Sequence, residues 1–289
     1  MLEQQLVNGL MLGGAYALVA IGYTLIFGVL GLLHLAHGEV FMVGAYAGLV
    51  LTLAGAPLWL TLAGAMAAAA ALGVLVERVA FRTIRGRGSH VTPLMTTVAV
   101  GLILQQAVVK MYGPEPVAFP APFAATPIAL GPVTLTGLQI LILGTSLALM
   151  ALLNVFLRST ALGLSIRATA ENPTVAGLMG VNVSLAVVVT FAVASALAGA
   201  AGVLLAWNFT AVSPFFGVKV GLKGLAIMLL GGLGNVTGAM VGGLIVGVVE
   251  VLSVAYLESS YRDAFAFAVM ILILLVRPTG LFGSRTSAG

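Results

Sequence analysis

His34-Leu-Ala-His37-Gly38-Glu39 is the one stretch of this chain that sets two imidazoles at i, i+3 with a carboxylate close by. A metal centre would need further ligands, and the sequence supplies no H-E-x-x-H or comparable cluster to complete one, so no metal is expected. A polar string of this kind more readily breaks a membrane helix, and non-helical backbone at membrane depth survives only where it is buried in protein or lines an aqueous cavity. His37, Gly38 and Glu39 are therefore candidates for a broken helix beside a translocation path, the alternative being a plain interfacial turn. Gly231, Gly232 and Asn235 form a second candidate break. Glu250 lies deep in the apolar run 236–257. A charge at the bilayer centre costs about 2.5–3.5 kcal/mol on insertion scales, so Glu250 is expected to face protein or a cavity. Lys219 or Lys223, an i, i+4 pair, could neutralise it, and a structural ion pair is favoured over a proton-carrying role. The lysines themselves read as snorkelling at the interface. No G-x-x-x-x-G-K-[ST] loop occurs, so the chain is expected to hydrolyse no ATP and to bind no cofactor itself. No catalytic residue is proposed.

The elements that position these residues are dictated by composition. Of 289 residues, 61% are hydrophobic and 7% charged, where a soluble domain carries about 25% charged residues. Mean hydropathy is +1.19. The chain reads as all-α: one polytopic transmembrane domain over 1–289 with about 8–9 transmembrane or membrane-embedded helices. The expected segments are 6–30, 37–54, 58–80, 92–111, 134–157, 184–207, 222–234, 236–257 and 263–276. No basic region precedes the first, which is read as a retained helix rather than a signal peptide. The segment 222–234 is too short to cross a ~30 Å core as a straight helix.

Basic residues are few and sit in loops, where they orient membrane proteins; they do not suggest nucleic acid. Arg78, Arg82, Arg85 and Arg87, then Arg158 and Arg167, then Arg277 and Arg285 are expected on the cytoplasmic side. The proline-rich loop 112–133 has Glu115 and no Lys or Arg, so it suits the opposite side, and counting back places the N-terminus there too.

Two further patterns stand out. Gly234, Gly238 and Gly242 are spaced four apart, as are Ala239, Gly243 and Gly247, which makes two adjacent grooves for close helix packing, within the chain or at a dimer or pore interface. A lesser version runs through Gly9, Gly13 and Ala17. Between Arg158 and Asn182 the chain leaves the membrane and returns. Asn172 suits an N-cap, Pro173 the first helical position, and Gly180 the left-handed residue that ends a helix. Val175, Leu178 and Met179 then share one apolar stripe at i, i+3 and i+4. Two turns are too short to be stable alone, so this helix docks on a surface, either its own bundle or another protein.

Three stretches together resemble a known family: Gly28 to Tyr46 around Ala36-His37-Gly38-Glu39, Arg167 to Asn182 with Glu171, Ala176 and Gly180 in an E-x4-A-x3-G spacing, and Lys223 to Gly247 ending at Glu250. They are similar to the smaller permease subunit of bacterial branched-chain amino acid ABC importers, over nearly the whole chain. At position 34 that pattern would carry an Asn-type residue, and His34 departs from it. The resemblance implies a multi-pass inner-membrane permease for branched-chain or related hydrophobic amino acids. It implies as partners a second, different permease chain, two ATP-binding subunits holding ATP-Mg, a periplasmic substrate-binding protein and membrane lipid. Residues 158–182 would then be the coupling segment, with Glu171, Asn172, Pro173, Val175, Ala176, Leu178, Met179 and Gly180 at the ATPase. On that view Ala176→Glu abolishes transport and leaves insertion intact. The competing class is an ion-coupled secondary transporter acting alone, binding its substrate at broken helices.

Overall fold

The computed structural model describes residues 2–82, 91–121, 127–130, 133–257 and 261–283; Arg85, Arg87 and Arg285 lie outside them. The chain is helical throughout its apolar runs because no backbone group inside a membrane can be left without an internal partner. α1 (Leu2–Leu30), α2 (His37–Leu53), α3 (Leu58–Val76, continued by a π turn Glu77–Phe81) and α4 (Val91–Tyr112) are followed by α5 (Gly137–Ser159), α6 (Ala161–Glu171) and α7 (Pro173–Leu178). α8 (Val183–Phe209), α9 (Phe216–Gly231), α10 (Val236–Tyr256) and α11 (Arg262–Val276) complete the bundle. Short strands join at the end away from α7: β1 (Val117–Ala118) pairs antiparallel with β4 (Ala211–Val212), and β2 (Pro127–Leu130) with β3 (Val133–Thr136).

Among the described residues, six helices are long and apolar enough to cross a membrane, namely α1, α3 with its π turn, α4, α5, α8 and α10. α2, α9 and α11 have 17, 16 and 15 residues, about 22–26 Å at 1.5 Å per residue. α1 is the hub. It is buried from Met11 to Ile26 and packs on α8, α9 and α10, whereas α3, α4, α5 and α11 turn apolar faces outward, as lipid-facing helices do.

Both glycine grooves are filled from within this chain. A Cβ on Gly13 would lie 2.7 Å from the Gly243 carbonyl oxygen, and one on Gly243 would lie 2.5 Å from the Ala17 Cα. Gly247 meets Gly13 and Gly9. The Ala239–Gly243–Gly247 groove of α10 thus seats the Gly9–Gly13–Ala17 groove of α1, backbone against backbone. The other groove seats α9: Gly238 lies against Gly231, and a Cβ on Gly242 would be 3.2 Å from the Ile227 carbonyl oxygen. Gly234 belongs to neither groove. Its φ of +78° puts it in the turn before α10, a conformation glycine adopts without steric cost.

Two expected boundaries shift. The segment placed at 222–234 is α9, running 216–231, because Lys219 and Lys223 interrupt its apolar run without interrupting its helix. The stretch 158–182 holds two helices rather than one. α6 is capped by the Thr160 hydroxyl, which accepts from Gly163 N at 3.0 Å, and it buries Gly163, Ile166 and Thr169 at three-residue spacing.

Candidate functional site

The break between α1 and α2 is re-entrant. The His37 ring packs edge-on against Tyr23, centroids 4.7 Å apart, and the Gly22 Cα faces the same imidazole. Gly22 and Tyr23 precede the end of α1 by seven or eight residues, about 11 Å of helix. The chain therefore turns back into the bundle before α2 begins. His34, His37 and Glu39 are all buried. His34 sits among Phe81, Phe191 and His37, with ring centroids 5.2, 5.4 and 5.9 Å away. Neither of its nitrogens has a hydrogen-bond partner among the described residues, nor has Glu39 Oε2.

The first turn of α9 meets the first turn of α2 at this break. A Cβ on Gly217 would stand 2.6 Å from both Glu39 Oε2 and the Gly38 carbonyl oxygen, and one on Gly221 would stand 3.0 Å from the Gly38 Cα. Two helix N-termini, each a local source of positive dipole, thus converge beside Glu39. Gly217 and Gly221 carry no signal in the sequence beyond their type, and only the tertiary contact singles them out.

The second candidate break is elsewhere. Gly231, Gly232 and Asn235 lie at the opposite end of α9, fourteen or more residues from Gly217, about 21 Å of helix. They form a covered turn, with Leu281 N donating to the Leu230 carbonyl at 2.8 Å, Phe282 N to Gly231 at 3.1 Å, and Asn235 Nδ2 to Phe282 at 3.0 Å. Gly232 is at φ +104°. Asn235 also caps α10 by accepting from Gly238 N at 2.8 Å. Of these residues Asn235 borders a cavity of about 530 Å³ shared with Gly28, Glu171 and Phe282, on the α7 side of the molecule. The structure brings them to the α7 side of the molecule, not to His37.

Glu250 is fully buried and paired. Lys223 Nζ donates to Glu250 Oε2 at 2.8 Å and to the Tyr16 hydroxyl at 3.3 Å, and forms an ion pair with Asp263 Oδ1 at 2.7 Å. The Tyr16 hydroxyl donates to Glu250 Oε1 at 3.0 Å, and Arg262 Nε donates to the same oxygen. Lys223 is therefore the partner, and it is buried rather than snorkelling; only Lys219, one turn earlier, is exposed. Tyr16, Arg262 and Asp263 were not singled out by the sequence. Arg262 and Asp263 follow Glu250 by twelve and thirteen residues and lie on the next helix, a spacing with no helical signature. This cluster lines a cavity of about 320 Å³ that Lys219, Phe209 and Val220 also border.

α7 lies at the other end. Asn172 Oδ1 accepts from Thr174 N and Val175 N, both at 3.0 Å, and Gly180 stands at φ +84°. Pro173 occupies the first turn. Val175, Leu178 and Met179 are 52, 82 and 79% exposed, and Ala176 alone in the segment 171–180 is buried, on the face that meets α6 and α8. Glu171, Arg158 and Arg167 are exposed around it.

A helical bundle that keeps its polar groups inside, admits a re-entrant helix start and presents a cavity at each end has the architecture of a multi-pass membrane transport protein. The chain belongs to the family described as branched-chain amino acid transport system / permease component, whose model matches residues 5–274. It is 38% identical to the high-affinity branched-chain amino acid transport system permease protein LivH of Salmonella typhimurium, over 97% of this chain and 95% of that one. With the corresponding permease protein BraD of Pseudomonas aeruginosa it shares 36% identity over the same shares of each. With the probable branched-chain amino acid transport permease protein LivH of Methanocaldococcus jannaschii it shares 29%, over 97% of this chain and 93% of that one. No solved structure matches.

Proposed function

We propose that the chain is the membrane-spanning permease subunit of an ABC importer in the bacterial inner membrane, carrying branched-chain or related hydrophobic amino acids inward while separate subunits hydrolyse ATP. The observation that carries this reading is α7. A six-residue helix, too short to stand alone, is held by a cap at each end and seated through Ala176, yet it turns Val175, Leu178 and Met179 outward. Arg82, Arg158, Arg167 and Arg277 belong to the same end of the molecule, which the positive-inside rule assigns to the cytoplasm. A groove in an ATP-binding subunit would bury the three side chains at about 1.5–3 kcal/mol each and couple closure of the ATPases, holding ATP-Mg, to α6 and α8.

The remaining partners are a second permease chain forming a heterodimer, a second ATP-binding subunit, and a periplasmic substrate-binding protein delivering solute to the opposite end. Lipid covers the outward faces. A secondary transporter needs a free membrane-embedded ionisable group; Glu250, held by Lys223, Arg262 and Tyr16, is not one.

Leu178→Glu is the test. It puts a charge on the exposed face without touching the packing below, so the permease should reach the membrane at normal levels, lose its ATP-binding partner on purification and lose ATP-driven uptake. Normal uptake by this variant would remove α7 from the coupling role. Ala176→Glu is the weaker probe, because Ala176 faces the bundle and a carboxylate there unseats α7 as well.

A further inference from the structure

The charged cluster around Glu250 is built in two layers, and only the inner one is saturated. Lys223 hydrogen-bonds Glu250 and Tyr16 and pairs with Asp263. Arg262 commits Nε to Glu250, while its two terminal nitrogens make no hydrogen bond among the described residues. Asp263, with its side chain 58% exposed, commits Oδ1 to Lys223 and leaves Oδ2 free. Lys219 is exposed and has no hydrogen bond among the described residues. Two cationic donors and one carboxylate oxygen are thus unspent around the same cavity of about 320 Å³, whose wall is completed by Phe209, Phe216 and Val220.

We infer that this cavity is a binding site for a free α-amino acid with an apolar side chain. Lys219 and the terminal nitrogens of Arg262 take its carboxylate, Asp263 takes its ammonium, and Phe209, Phe216 and Val220 take its side chain. Opposite charges next to an apolar wall suit a zwitterion. An inorganic anion would face Asp263, and a sugar would leave both charges unpaired, a costly outcome at a half-buried site. The volume stands at the small end of the ~300–1,000 Å³ range of small-molecule sites, which fits a single amino acid rather than a peptide. The receiving groups are also pre-positioned, as a binding site requires. Arg262 is fixed by the buried Glu250 and lies 5.3 Å from the centre of the Phe209 ring, and Asp263 is fixed by the buried Lys223. The inference rests on the amino acid permease reading and adds to it a site within this chain, at the end opposite α7.

The test uses the complete transporter, purified with its partner subunits but without the substrate-binding protein, and measures binding of tritiated L-leucine by scintillation proximity. Unlabelled leucine should compete. Leucinol, lacking the carboxylate, and isocaproate, lacking the ammonium, should not compete at ten times that concentration. Lys219→Gln should weaken binding about tenfold or more, the effect of losing a charge-assisted contact, and Lys219→Arg should restore it. Equal binding by wild type and Lys219→Gln, equal competition by leucinol, or no leucine binding by a complex that still imports leucine when the binding protein and ATP are added would each overturn the site and leave the permease reading intact. An intact wild-type complex that imports no branched-chain amino acid under those conditions would overturn the permease reading itself.

Discussion

Removing the Glu250 carboxylate would leave Lys223 buried with Asp263 as its remaining counter-charge and Arg262 without the partner of its Nε. Breaking a buried pair from one side costs about 3–5 kcal/mol. Glu250→Ala should therefore lower the thermal unfolding midpoint of the detergent-solubilised protein steeply. Asp263→Asn should change stability by no more than about 1 kcal/mol, because a mostly exposed partner contributes little. Equal effects of the two substitutions would contradict the two-layer description of the cluster. The expectation that Glu250 is paired followed from the cost of a charge in hydrocarbon, which is local and calculable. The expectation that both lysines snorkel failed for Lys223 because depth was misjudged. One helical turn, about 6 Å, separates an exposed Lys219 from a Lys223 enclosed by Tyr16, Glu250 and Asp263.

Helices whose glycines touch backbone to backbone tolerate no side chain there, while a lipid-facing glycine does. Gly243→Leu drives a side chain into Ala17 of α1, and overpacking of this kind typically costs at least 1–3 kcal/mol. With backbone as the obstacle, loss of the monodisperse peak in size-exclusion chromatography is expected. Gly144→Ala, at an exposed position on α5 with nothing within 4 Å of the added Cβ, should leave that peak unchanged. A Gly243→Leu protein as well behaved as wild type would mean that α1 and α10 do not cross here. Element positions were legible because apolar runs of spanning length admit little besides helix, and the Asn172–Pro173–Gly180 punctuation fixed α7 nearly to the residue. α6 was not legible: its buried set, Gly163, Ile166 and Thr169, contains a single large apolar residue, so its amphipathic signal was faint. The glycine grooves showed that close packing was coming but not with which helix, since small-residue spacing carries no partner identity. The meeting of Gly38 with Gly217 was equally invisible, because it joins two helix starts about 180 residues apart.

On the scale of the whole molecule, two sets of groups lie at opposite ends of one buried scaffold. The apolar face of α7 and the cavity bordered by Glu171, Gly28 and Asn235 occupy one end; Lys219, Arg262 and Asp263 occupy the other. Between them run α1, sealed against α10 by glycines, and α9, which begins beside Glu39 and ends at the turn bordering the cavity near α7. A displacement of α6 and α7 can reach the break at His37 through α8 and α9, which pack on α1 and α2.

The central claim is that this permease is driven by partner ATPases, and the most direct measurement is uptake of labelled leucine into proteoliposomes holding the complex purified through a tag on this chain. The account predicts a complex containing two ATP-binding subunits and a different permease, and uptake that requires ATP and the substrate-binding protein but no ion gradient. Uptake by this chain alone, driven by an ion gradient and indifferent to ATP, would contradict it.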